Sequence, residues 1–132
     1  MLKTYPAIAR HDNVNIQHLL SDQAGCSDVL KCAFSLGDPE LDVYRALLSN
    51  GPMRSDELAD FMGKGPSTIY RSLQRLVSCG MVLRESRNIP AGGSYFIYRA
   101  KDREQLREEV RGCMERMMER VERLLDRFEE DL

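Results

Sequence analysis

The sequence contains no long hydrophobic run. None of its apolar segments approaches the roughly 20 residues that a membrane-spanning helix needs, and the first residues lack the apolar core of a signal peptide. We therefore expect a cytoplasmic protein without a membrane partner. The chain has 132 residues, of which 42% are hydrophobic and 30% are charged, and this is enough for one compact domain with an appendage.

Patterns typical of metal sites and catalytic sites are also missing. The four cysteines (Cys26, Cys32, Cys79 and Cys113) form no CxxC pair and are not followed by histidines at ligand spacing, so we expect no metal and no cofactor. A glycine-rich loop and a nucleophile–base arrangement are absent, which argues against an enzyme and against catalytic residues. Reduced thiols are expected, and a redox role for Cys26 and Cys32 stays open.

The formal net charge of −2 hides an uneven distribution. Residues 1–51 carry a net charge of −2, and residues 102–132 carry −4. Residues 52–101 contain eight Lys and Arg against four Asp and Glu, a net charge of +4. A local basic region of this kind is typical of a surface that binds nucleic acid.

Hydrophobic spacing predicts helices first and then a hairpin. An extended arm over residues 1–13 precedes short helices over 14–23 and 27–36, and further helices follow over 38–50, 55–62 and 66–79. Strands are expected over 81–85 and 95–99, with a turn over 87–94 between them. The predicted helix caps are Ser27, Asp38, Ser55, Gly65 and Asp102. The last helix is expected to reach almost to Leu132.

Two short helices separated by a glycine-containing turn and followed by a hairpin indicate a winged helix-turn-helix. The expected fold is mainly α with a small β-hairpin wing (α+β), followed by a long C-terminal dimerisation helix. We divide the sequence into an N-terminal arm and short helix (1–25), a winged helix-turn-helix domain (26–100) and a coiled-coil-like helix (101–132).

The helix over residues 66–79 has the two faces that a DNA-reading helix requires. One face carries apolar residues at helical spacing, namely Ile69, Leu73, Leu76 and Val77. The other face carries hydrogen-bond donors and no acidic residue. Together with the preceding turn and the hairpin, this face supplies the predicted DNA-binding residues, which are Lys64, Ser67, Thr68, Arg71, Gln74, Arg75, Ser78, Arg84, Arg87 and Asn88. An ordinary solvated face of an amphipathic helix is the alternative.

Three stretches resemble archaeal TrmB-like and MarR-like transcriptional regulators. They are LDVYRALLSNGPM (41–53), SDELADFMG (55–63) and STIYRSLQRLVSCGMV (67–82), within a resemblance that covers about residues 28–100. The resemblance implies a homodimeric winged-helix repressor or activator that binds duplex DNA. Lys64-Gly65-Pro66 replaces the usual I-S-R at the helix entry, so a base preference is not transferred. A helix also follows the hairpin where TrmB-like proteins often carry a sugar-binding domain.

The last helix contains a heptad seam of apolar residues. Because a lone helix with such a seam is marginal in water, we expect a second copy of the chain to cover it. Packing onto its own domain is the alternative. The predicted dimerisation residues are Leu106, Val110, Met114, Met117, Val121, Leu124, Leu125 and Phe128.

Together these features predict a transcriptional regulator that binds double-stranded DNA in a sequence-specific manner. We expect it to act as a repressor and to bind a near-palindromic site as a homodimer. A winged-helix module for protein–protein contacts in a transcription or assembly complex is the alternative. In MarR-like proteins a ligand often sits between the DNA-binding lobe and the dimer helices, so the resemblance implies a small-molecule effector as a further partner. Phe34, Tyr44 and Tyr70 could line its pocket, although core packing explains these residues as well.

Overall fold

The computed structural model describes residues 15–132. The predicted arm over residues 1–13 and residue 14 of the first predicted helix lie outside this range. The described residues form helices α1 (Ile16–Leu19), α2 (Cys26–Phe34), α3 (Asp38–Asn50), α4 (Ser55–Met62) and α5 (Pro66–Ser78), strands β1 (Val82–Asn88) and β2 (Ser94–Ala100), and helices α6 (Arg103–Leu125) and α7 (Phe128–Asp131). The chain divides into two compact units, one ending at Lys101 and the other beginning at Asp102.

The first unit is built around a hydrophobic core shared by α3, α4, α5 and the hairpin. Helix α5 packs against α3, α4 and β1, and β2 packs against α3. Leu47 of α3, Leu58 of α4 and Leu73 of α5 are each at most 2% exposed. Burial of a leucine side chain contributes roughly 1.5–3 kcal/mol, so these contacts fix α5 in the domain. The expected winged-helix fold, mainly α with a β-hairpin, is confirmed.

The hairpin is tied to the helices at two places. Met53, in the segment between α3 and α4, forms an antiparallel bridge with Tyr98 of β2. The hydroxyl of Tyr44 on α3 donates to the carbonyl of Lys101, 3.0 Å away, just after β2 ends. These links hold the base of the hairpin beside the helical core.

Three predicted helix caps are wrong by one or two residues. Gly25, Gly37 and Arg54 are the N-cap residues, and not Ser27, Asp38 and Ser55. In each helix a carboxylate three residues after the cap accepts the backbone N–H of the cap residue, and these carboxylates belong to Asp28, Glu40 and Glu57. Since this carboxylate satisfies an otherwise unpaired donor, the cap residue itself needs no side-chain acceptor. The predicted caps Gly65 and Asp102 are confirmed.

Several element boundaries also differ from the prediction. Helix α1 spans four residues and not ten, because Asn15 caps it and the chain turns after Leu19. The strands are longer than predicted, so Arg87 and Asn88 lie within β1 and Asn88 pairs with Ser94. Gly92 and Gly93 close the connection with φ values of 114° and 87°, which suit glycine.

The last predicted helix is interrupted near its end. Helix α6 ends at Leu125, and α7 starts at Phe128 after a break at Asp126 and Arg127. Asp102 accepts the Gln105 N–H at 3.1 Å and caps the beginning of α6 as predicted. Within residues 15–132, the helices are either too short or too polar to cross a membrane.

Candidate nucleic-acid interface

Helix α5 presents a buried apolar face and an exposed polar face. Ile69, Leu73 and Leu76 are at most 1% exposed, whereas Val77, expected on the same face, is half-buried. On the polar face Gln74 is half-buried. The other predicted residues of this face are exposed, namely Ser67, Thr68, Arg71, Arg75 and Ser78.

The N-terminal end of α5 is open and carries no acid. The turn before it contains Gly63, which adopts a left-handed conformation with φ 65°, and the exposed Lys64. Gly65 and Pro66 begin the helix without a side-chain cap, and its first turn contains no acidic residue. Backbone N–H groups at such an end carry partial positive charge and attract anions. Lys64 adds a full positive charge next to them.

A shallow depression lies beside this end of the helix. It has a volume of about 480 Å³ and is lined by Ser55, Pro66, Ser67, Tyr70 and Arg71. Tyr70 is 51% exposed there, so it belongs to the surface and not to the core. Our sequence interpretation assigned Tyr70 to an effector pocket or to the core, although a helical wheel places it at the edge of the polar face.

The C-terminal half of the polar face is flanked by other elements. Phe34, Ser35 and Leu36, at the end of α2, line a groove of about 360 Å³ together with Gln74, Arg75, Ser78 and Cys79. Phe34 and Tyr70 therefore line different depressions, while Tyr44 is only 5% exposed in the core. Neither of these two depressions contains all three of the aromatic residues expected around an effector.

Arg75 has an acidic partner that no inspection of α5 reveals. Its Nη1 lies 3.1 Å from Oε2 of Glu40 on α3. The Glu40 side chain is 3% exposed and that of Arg75 is 65% exposed. Residues 40 and 75 lie far apart in the sequence, so only the packing of α3 against α5 brings them together. The polar face of α5 is thus free of acid in its own sequence but not in its surroundings.

The wing residues divide between the two faces of the hairpin. Arg84 shares a face with Phe96 and lies over its ring, with 4.5 Å between the guanidinium carbon and the ring centroid. Arg87 lies on the other face, 3.1 Å from the Glu85 carboxylate. Glu85 also pairs with Arg99 at 3.2 Å. The hydrogen bond from Arg99 lowers the pKa of Glu85, so this carboxylate stays charged beside the two arginines.

A further cation joins the wing to the helix-turn-helix. Arg54 precedes α4, and its guanidinium carbon lies 5.6 Å from the centroid of the Tyr95 ring on β2. Its Nε also lies 3.3 Å from Asp56. The sequence gives no signal for this stacking because it depends on the position of β2 beside the segment before α4.

Comparison with known proteins identifies the family of this domain. The model of a family described as "Sugar-specific transcriptional regulator TrmB" matches residues 30–104, more than half of the chain. The chain belongs to the TrmB family. This is a family of transcriptional regulators and not of enzymes.

Relatives of this TrmB-family protein occur in several archaea. An uncharacterized protein of Methanocaldococcus jannaschii is 28% identical over 101 residues, which are 76% of each chain. The solved structure of a possible transcriptional regulator from Methanosarcina mazei is 25% identical, covers 79% of this chain and 88% of its own, and has a TM-score of 0.67. A Sulfolobus tokodaii protein shares the fold with a TM-score of 0.57. It is 24% identical, and the match covers 72% of this chain and 93% of the Sulfolobus chain.

The second unit of this TrmB-family protein carries the predicted dimerisation residues. Leu106 and Val110 are buried, and Met114 is half-buried. The later residues are 37–57% exposed, namely Met117, Val121, Leu124, Leu125 and Phe128. Because α6 ends at Leu125, Phe128 belongs to α7 and the seam is not one continuous helix. Among the predicted dimerisation residues, the exposed ones therefore lie between Met117 and Phe128.

The cysteines of this TrmB-family protein are in different environments. Cys26 is exposed, and Cys32, Cys79 and Cys113 are half-buried. Cys26 and Cys32 both lie on α2, where six residues correspond to about 9 Å of helix. This exceeds the Cα separation of a disulfide, about 4.4–6.8 Å, so these two cannot pair within the intact helix. Within residues 15–132, no cluster of three metal-ligating side chains is present.

Proposed function

We propose that this protein binds double-stranded DNA in a sequence-specific manner through α5 and the wing. The observation that carries the proposal is the exposed, acid-free N-terminal half of α5, with Ser67, Thr68 and Arg71 beside the open helix end. This surface belongs to a segment of the chain with net charge +4. It supplies both of the contacts that DNA recognition needs, positive charge for phosphates and forked donors for base edges.

Each residue has a role that follows from its chemistry. Arg71 is fully on the exposed side of α5 and can donate two hydrogen bonds to a guanine. The Ser67 and Thr68 hydroxyls, next to the helix N-terminus and Lys64, suit phosphate oxygens. Gln74 and Ser78 lie further along the helix, where Gln74 could pair with an adenine. Arg84, Arg87 and Asn88 of the wing supply contacts to flanking phosphates or to the minor groove.

We further propose that the protein acts as a homodimer and as a repressor. The exposed apolar residues between Met117 and Phe128 lose contact with water if they pack on the same residues of a second copy. Two α5 helices related by a two-fold axis would enter major grooves about 34 Å apart on a near-palindromic site. A dimer bound to promoter DNA represses transcription by occupying it.

A small-molecule effector is part of the same proposal. It is supported by the description of the family as sugar-specific, which concerns the family and names no sugar for this chain. Sugars can be titrated into the preformed DNA complex, and a sugar that changes its dissociation constant would identify the effector class. The groove beside Phe34 and Arg75 is accessible for such a ligand.

The experiment that tests DNA binding is selection of genomic duplex fragments by the purified protein, followed by titration of the selected duplex at increasing salt. We expect the logarithm of the affinity to fall with the logarithm of salt concentration, with a slope that corresponds to several phosphates at about 0.9 per phosphate. Arg71→Ala should weaken binding to the selected duplex by roughly tenfold, the lower part of the range for a bidentate base contact.

Arg45→Ala is the matched control for this experiment. Arg45 is a 60% exposed arginine of the same domain, paired with Asp42 on α3 and outside the predicted surface. Its loss should leave the affinity nearly unchanged. If the wild-type protein binds no duplex at low salt, DNA binding is refuted, and the exposed face of α5 becomes a surface for an acidic protein partner instead.

A further inference from the structure

Glu40 occupies an unusual position for a carboxylate in a basic domain. It is the third residue of α3 and is 3% exposed at its side chain. Burial of a carboxylate is costly unless hydrogen bonds and an opposite charge compensate for it. Glu40 has three such donors, and each comes from a different residue.

The three contacts hold the carboxylate in one orientation. Its Oε1 accepts the backbone N–H of Gly37 at 2.9 Å. Its Oε2 accepts the hydroxyl of Ser72 at 3.3 Å and Nη1 of Arg75 at 3.1 Å. Gly37 and Ser72 are buried, so Arg75 is the one exposed member of this group. The position of the carboxylate is therefore set by the interior of the domain.

Arg75 is anchored at one nitrogen and exposed at the rest. A guanidinium has five N–H donors in a rigid plane, and Glu40 contacts it through Nη1. Glu40 does not contact the Nε–Nη2 edge, and 65% of the Arg75 side chain is exposed, so this edge can still donate. An arginine held in one orientation loses less conformational entropy on binding than a mobile one.

We propose that Glu40 is a positioning residue that orients Arg75 for base reading and so raises the ratio of specific to non-specific DNA affinity. The inference rests on the proposed DNA binding by α5. A base edge offers its acceptors at one fixed place, whereas phosphates flank the groove at many places. A fixed guanidinium therefore favours a matching base, while a mobile one is able to contact whichever phosphate is near.

The test compares Glu40→Gln with a matched control, Glu57→Gln. Glu57 is also the third residue of a helix in this domain, accepts the backbone N–H of Arg54 at 2.9 Å and pairs with the Arg54 side chain. Both variants remove one negative charge and retain a carbonyl that can accept the backbone N–H. Only Glu40→Gln releases Arg75, because it places an amide donor opposite Nη1. Affinities are measured for the selected duplex and for a scrambled duplex of the same length.

We expect Glu40→Gln to lower the ratio of the two affinities by about tenfold relative to Glu57→Gln, within the range of one base contact. In an Arg75→Ala background the same substitution should leave the ratio unchanged. If Glu40→Gln proves unfolded in a thermal melt, Glu40→Asp is used instead. Aspartate keeps the charge, but its shorter side chain cannot reach both Gly37 and Arg75.

Two results would overturn the role of Glu40. One is an unchanged ratio in Glu40→Gln, and the other is an equal fall of the ratio with and without Arg75, which would mark a purely structural effect. Both can occur while the wild-type protein still discriminates between the two duplexes, so the proposed function would stand. A wild-type protein that binds neither duplex would overturn both proposals.

Discussion

Arg84 and Arg87, three residues apart on β1, lie on opposite faces of the wing. Side chains alternate along a strand, and the register confirms the division, since Arg84 pairs with Tyr98 and Arg87 pairs with Tyr95. Tyr98 is buried at 3% exposure, so Arg84 lies on the face that turns toward the core. The two arginines, grouped together by sequence, therefore face different surfaces of the hairpin.

The first prediction concerns these two arginines. Arg87→Ala should reduce DNA affinity less than Arg84→Ala. The reason is that Arg87 must break its 3.1 Å ion pair with Glu85 before it can contact a phosphate. Arg84 instead lies over the Phe96 ring. Each variant is titrated with the selected duplex over a range of salt, and Arg84→Ala should reduce the slope by about one phosphate. Equal losses in both variants would contradict the prediction.

The second prediction concerns a buried ion pair between α2 and α3. Nζ of Lys31 lies 2.6 Å from Oδ1 of Asp38, and Lys31 is 3% exposed while Asp38 is 21% exposed. The other carboxylate oxygen of Asp38 is buried without a hydrogen-bond partner among the described residues. Lys31→Ala should lower the free energy of unfolding by about 3 kcal/mol, since it leaves that carboxylate unpaired.

Denaturant unfolding of Lys31→Ala measures this loss. The control is the double variant Lys31→Met with Asp38→Asn, which removes both charges and should recover most of the stability. A loss below about 1 kcal/mol in Lys31→Ala would show that the pair behaves like a surface ion pair.

The third prediction concerns the exposed part of the seam. Val121 and Leu124 are 37% and 45% exposed, and Val121→Glu together with Leu124→Glu should convert a dimer to monomers. The introduced glutamates of the two copies would then repel each other across the proposed interface. Neither substituted residue is buried within one copy, so the fold of each copy should be retained. Sedimentation equilibrium measures the mass, with Arg123→Glu as a control on the same helix. A dimer that survives the double substitution would move the interface elsewhere.

The fourth prediction concerns acid stability at the beginning of α2. Burial raises the pKa of Asp28, but the hydrogen bond from the Gly25 N–H and the contact with His18 outweigh it, so the pKa lies below 3.8. A carboxyl whose pKa is lower in the folded chain than in the unfolded chain stabilises the fold at pH values above its unfolded pKa. That stability is lost as the pH falls below 3.8 and through the folded pKa.

Asp28→Asn should therefore remove part of the acid-side decrease in stability. The free energy of unfolding is measured from about pH 6 to about pH 3 and compared with the wild type. Asp42→Asn, at an exposed position on α3, is the control and should follow the wild-type curve. An Asp28→Asn curve parallel to that of the wild type would refute the contribution of this carboxyl.

Local patterns predicted the elements better than their boundaries. The apolar spacing on α5 gave its buried face correctly for Ile69, Leu73 and Leu76. The caps failed at α2, α3 and α4 because the prediction searched for a polar side chain at the cap. In the structure the satisfying group is a carboxylate three residues later, which equally fits the sequence. A capping pattern does not by itself say which of several nearby residues is the cap.

The sequence by itself determined the winged-helix order of elements and the polar face of α5, because periodicity and turn residues are local properties. Only the tertiary structure decided the surroundings of that face. It placed Glu40 against Arg75, separated Arg84 from Arg87 by strand register, and divided the seam into buried and exposed parts. The contact between Glu40 and Arg75 depends on packing between residues that are distant in the chain, and such a contact leaves no period in the sequence.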